Sequence, residues 1–221
     1  MKKTWWVSAL VAVALMFASS SRPYFTIYQP WSWTREHNLD KEGASRFSLP
    51  VNEVENAAGL PRTAIVEIKG FEQVDDENDL DVFVPDGFDG WVLYTKWKAP
   101  TNSLLSGCQV WFSGADGRHY ELSEKLTGDS FGGASAVRPD EVRISPTCTP
   151  PMQSGPRYNW LDGKLENEFP RPETWDRFIA VSMPDGVRPT EFHFGWSPPH
   201  YITLELPENA PFLDELLGDA T

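Results

Sequence analysis

Basic residues are scarce in this 221-residue chain: 19 Lys and Arg stand against 32 Asp and Glu, for a net charge of −13. Neutralising phosphates takes clustered Lys and Arg, so a nucleic-acid partner is not expected. The same shortage speaks against docking on an anionic lipid surface. Cysteine is rarer still: Cys108 and Cys148 are the two, and no C-x-x-C pair of the kind that holds zinc is present. No two of His37, His119, His193 and His200 lie at i, i+2 or i, i+4, which leaves no local zinc motif. There is no S-x-x-K for a nucleophile, and no G-x-G-x-x-G or Walker loop for a nucleotide. Asp75, Glu77, Asp79 and Asp81 alternate as calcium ligands do, but the sixth position counted from Asp75 is Leu80, where an EF-hand loop needs glycine. These absences predict a protein without catalytic residues, metal or cofactor. One metal arrangement stays open: His119 and His193 meeting across a sheet, with Met152 or Met183 completing a copper or zinc site.

Long apolar runs are also few, and one is at the start. After Lys2 and Lys3, eighteen residues pass without a charge before Arg22. As a helix they reach about 27 Å, enough to cross a hydrocarbon core. Trp5 and Trp6 flank one end; Tyr24, Phe25, Tyr28, Trp31 and Trp33 flank the other, like the two interfacial girdles of a spanning helix. The basic start places the N-terminus inside. Residues 1–22 are therefore expected to be a transmembrane signal anchor in the plasma membrane, or else a signal peptide cleaved after Ala18-Ser19-Ser20. No cysteine lies nearby, so a lipoprotein anchor is excluded. Either reading puts the remainder outside the cytoplasm, where Cys108 and Cys148 are expected to form a disulfide.

What the chain has in quantity is proline (19), glycine (16) and aromatics, including 10 Trp and 13 Phe. Residues 23–61, punctuated by Pro23, Pro30 and Pro50, read as a juxtamembrane linker with one short helix or loop over 51–58. Strand-like runs then follow at 64–69, 81–84, 90–98, 108–112, 118–122, 178–183, 191–196 and 201–206. Gly114-Ala115-Asp116-Gly117 marks a hairpin turn. Short strands separated by turn residues predict an all-β antiparallel sandwich of immunoglobulin-like type over 62–207, with an acidic tail at 208–221. Residues 123–175 carry little alternation and read as one long loop. In the tail, Phe212, Leu213, Leu216 and Leu217 would form one sticky helical face.

Trp91-Val92-Leu93-Tyr94, Gly107-Cys108-Gln109-Val110, Asp116-Gly117-Arg118-His119-Tyr120, Cys148-Thr149-Pro150-Pro151, Met183-Pro184-Asp185-Gly186 and Gly195-Trp196-Ser197-Pro198-Pro199-His200-Tyr201 together resemble exported or membrane-anchored proteins of actinobacterial envelopes. They are also similar to the telokin-like sandwich of small bacterial lipoproteins. The resemblance spans about residues 62–206 and implies an immunoglobulin-like sandwich and an envelope location, with no catalytic residue to carry over.

The aromatics exceed routine core filling. Trp111 lies on the strand face opposite Cys108 and Val110, and Tyr158, Trp160 and Trp175 lie in the long loop. Exposed aromatics anchor protein partners or stack on sugars, so these four are candidate partner contacts. The expected function is that of a non-enzymatic accessory or interaction protein at the outer face of the plasma membrane, docking on a larger membrane or envelope complex. The alternatives are a secreted module binding envelope carbohydrate or peptide and, with less support, an envelope hydrolase.

Overall fold

Alternation builds the strands. In β4 (Phe88–Lys98), Leu93, Thr95 and Trp97 are buried on one face, while Lys96 and Lys98 stay exposed on the other. The computed structural model describes residues 9–16, 32–39, 45–49, 62–74, 84–121, 147–150, 152–159, 161–208 and 210–211. Among these residues the other strands are β1 (Arg35–Asn38), β2 (Ser45–Leu49), β3 (Arg62–Val74), β5 (Gln109–Gly114), β6 (His119–Glu121), β7 (Arg157–Asn159), β8 (Lys164–Glu166), β9 (Thr174–Pro184), β10 (Pro189–Ser197) and β11 (His200–Glu205).

Two sheets pack as an all-β sandwich, one ordered β1-β11-β10-β5-β6 and the other β2-β3-β4-β9, with β7 and β8 forming a separate hairpin. Among the described residues all pairings are antiparallel except β1 with β11. The sheets meet through aromatic side chains. Phe194 of one stands 5.0 Å from Trp97 and 5.3 Å from Phe47 of the other, centroid to centroid and edge to face. Phe112, Phe192 and Ile202 on one inner face, and Leu93, Ile179, Val181 and Met183 on the other, complete the core.

One end of the sandwich is closed by polar groups reaching loop carbonyls. Trp196 Nε1 donates to Leu105 O, Trp175 Nε1 to Cys148 O, Arg62 Nε to Leu104 O and Arg171 to Pro100 O and Ser103 O. Arg171 is buried over the Trp175 ring, 4.6 Å from its centroid, and burial lowers its pKa to about 10. It remains charged at neutral pH. The Cys108–Cys148 disulfide, Cα to Cα 5.7 Å, ties the entry of β5 to this floor as the sequence predicts.

The strand expectations hold for β3, β4, β5, β6, β9, β10 and β11, with shifted ends. Two segments differ from the sequence expectation. The segment read as a linker contributes β1 and β2, because β1 finds a parallel partner in β11 and β2 buries Phe47 and Leu49 against the core. The loop read over 123–175 contains β7, β8 and the first residues of β9. At the N-terminus, residues 9–16 are helical with Leu10, Val11, Val13, Leu15 and Met16 exposed, and among the described residues no helix is long and apolar enough to cross a membrane. Most of the 1–22 segment, the 51–58 and 212–217 readings, and the acidic run 75–81 lie outside the described residues.

Candidate functional site

The four aromatic positions chosen from sequence do not share one surface. Trp111 is 8% exposed, which corrects the exposure expected of it. The outer face of its sheet is covered: Trp33, just before β1, lies 5.1 Å from Trp111, and Tyr201 and His193 flank the indole at 5.6 and 5.5 Å. Gly195 makes this possible, since a Cβ there would stand 2.6 Å from the Trp33 ring. Trp175, 5% exposed, stacks on Trp97 at 6.2 Å inside the sandwich. Tyr158 is half-buried on β7, and Trp160 lies outside the described residues.

At the β7–β8 hairpin apolar groups meet solvent. Leu161 at its turn is 98% exposed, and Leu165 on β8 and, beyond the open end of the hairpin, Phe169 and Met152 are exposed as well. The turn that presents Leu161 is held by its own polar groups. Asn159 Oδ1 accepts from Leu161 N, Asp162 Oδ1 from Lys164 N and Asn159 O from Gly163 N, with Gly163 at φ 68°. Asn159 Nδ2 donates to Glu166 Oε1 across the hairpin, and Arg157 pairs with Glu166 and Glu168. Leu161 is an apolar tip on an ordered turn, and sequence reading missed it. The Asp162-Gly163 pair is the signal that finds it, the same chemistry as Asp116-Gly117.

A second cluster lies on the covered face. Ser113 Oγ is hydrogen-bonded to His193 Nε2 at 2.6 Å and to His119 Nδ1 at 3.1 Å, and His193 Nδ1 to Thr203 Oγ1 at 2.9 Å. His119 and His193 thus meet across the sheet, 5.9 Å between rings. Met183 is buried on the inner face of the other sheet and Met152 is exposed beside the hairpin, so neither joins them. Among the described residues no group of three or more His, Cys, Asp or Glu is placed to hold a metal ion. By distance Ser113 and His193 resemble a nucleophile and its base. Yet β5 is paired on both sides at Ser113, so its amides lie in the sheet plane, away from the hydroxyl. The strand therefore offers no pair of oxyanion donors there.

His193 is 3% exposed, and burial, followed by His119, lowers its pKa from 6.5 to about 4. Both hydroxyl partners can donate or accept, so either neutral tautomer is satisfied. Above pH 6.5 the contribution is fully present; as pH falls toward 4 the unfolded chain takes a proton that the folded chain refuses. Stability should therefore drop by about 3 kcal/mol across that window and level off below it. Denaturant midpoints at the two ends check this, and His193→Gln should flatten the difference.

A groove of about 450 Å³ opens along β2, β3 and β4, lined by Arg46, Ser48, Ile65, Lys98 and Glu173. None of the residues chosen from sequence lines it. No family model, no curated protein and no solved structure matches the chain.

Proposed function

We propose that this chain is a non-enzymatic interaction module, held at the outer face of the plasma membrane by its N-terminal segment, and that the β7–β8 hairpin is the surface it offers a protein partner. The observation that carries the reading is the fully exposed Leu161 on a turn fixed by Asn159 and Asp162. An apolar side chain presented in a set geometry loses little entropy on binding. The exposed apolar residues of helix 9–16 and the Cys108–Cys148 bond support an anchored, oxidised setting. The sandwich fits an immunoglobulin-like arrangement: β1 runs parallel to the last strand, β10 and β5 follow, and β4 crosses from one sheet to β5 in the other.

The test is co-purification from detergent-solubilised membranes. Leu161→Asp and, separately, Tyr158→Ala with Trp160→Ala should weaken partner recovery about 30-fold, the equivalent of about 2 kcal/mol at an interface centre. The stability of Leu161→Asp should change by less than about 0.5 kcal/mol, as for other exposed positions. If stability falls together with recovery, the hairpin is part of the fold and the reading fails. Recovery of the protein from carbonate-washed membranes in the soluble fraction, lacking its first residues, would overturn the anchor.

A further inference from the structure

The strand that joins the N-terminal segment to the sandwich is thinly held. β1 has four residues and one neighbour, β11. Thr34 N and Arg35 N both donate to Pro199 O, at 3.0 and 2.8 Å, and Leu39 N reaches Thr203 O at 3.4 Å. Across this seam His37 Nε2 lies 2.8 Å from His200 Nδ1, with the rings 5.1 Å apart. A contact of this kind needs one N–H and one lone pair. When both rings are protonated, two N–H groups face each other and the bond becomes a repulsion between like charges.

We propose that the His37–His200 contact is an acid-sensitive latch, which on mild acidification releases β1 from β11 while the rest of the sandwich stays folded. The surroundings favour release. Arg35 on β1 adds a positive charge toward His200, and burial, then His37, then Arg35 lower the His200 pKa. Glu36 on β1 lies opposite Tyr201, whose pKa is raised by burial, then by Glu36 and by Glu191 of β10. β10 sets the uncharged Ser197 opposite His200, and Glu205 stands at the far end of β11. Release would lengthen the connection between the sandwich and whatever its N-terminal segment holds.

Amide hydrogen exchange on the full chain tests this at about pH 7.5 and about pH 5, each corrected for intrinsic exchange. Thr34, Arg35 and Leu39 amides should lose protection by tenfold or more at the lower pH relative to amides of β4 and β9. The comparison removes the global loss due to His193, which lowers all strands together. His37→Gln and His200→Gln should each abolish the differential loss. Equal protection of β1 at both pH values, or opening that persists unchanged in both variants, overturns the latch. Should the variants not fold, the wild-type ring protons decide it. Two separated titration steps, the lower coinciding with β1 opening, support the latch. Independent single steps with β1 closed overturn it.

Discussion

Replacing Cys108 and Cys148 together by Ser is expected to lower unfolding free energy by about 4 kcal/mol, the largest loss for a covalent change in this chain. The bond closes a loop of 40 residues, and the unfolded chain without it regains the corresponding freedom. Part of the loop's end is held independently: Trp175 Nε1 donates to Cys148 O and Arg177 Nε to Thr147 O. Those bonds order the folded chain but do not restrict the unfolded one, so they do not substitute for the crosslink. Denaturant titration of the double variant against the oxidised protein measures the difference. A loss under about 1 kcal/mol would mean that the unfolded chain keeps the loop closed by residual structure.

Trp175→Ala should cost about 3–5 kcal/mol, the range for removing a large aromatic from a packed interior. The ring is 5% exposed, stacks on Trp97, carries Arg171 over one face and donates to Cys148 O. Truncation removes all three contacts and leaves a buried carbonyl and a buried cation poorly satisfied. Thermal or chemical unfolding reads the loss. A stable Trp175→Ala variant that fails to recover a partner would restore this residue to the contact surface and displace it from the floor of the sandwich.

Much of the sandwich is legible in the sequence because its strands are long and alternate. Phe192, Phe194 and Trp196, or Leu93 and Trp97, announce their inner faces without help from distant residues. β1 is illegible because Arg-Glu-His-Asn has no apolar period; its strand state comes from the β11 ladder and from Trp33 seated on Gly195. The start of β9 is hidden by Arg177, a polar residue buried because its guanidinium reaches Thr147 O. The site divides the same way. The disulfide follows from a cysteine count, whereas the Ser113–His193 contact joins residues 80 apart and leaves no local trace. Trp111 misleads because alternation predicts which face a side chain takes, not whether another segment covers that face.

The parallel seam between β1 and β11 also sets the order of assembly. Its two histidines are 163 residues apart, so the seam closes a far longer loop than the β10–β11 pairing beside it. Folding dominated by such distant pairings runs in milliseconds to seconds, and the seam is the natural last step. Until β11 is in place, β10 keeps one open edge beside the aromatic face of Phe192 and Phe194. A chain caught at that stage is a template for pairing with another copy, so slow synthesis or a stalled C-terminal strand favours aggregation over simple unfolding.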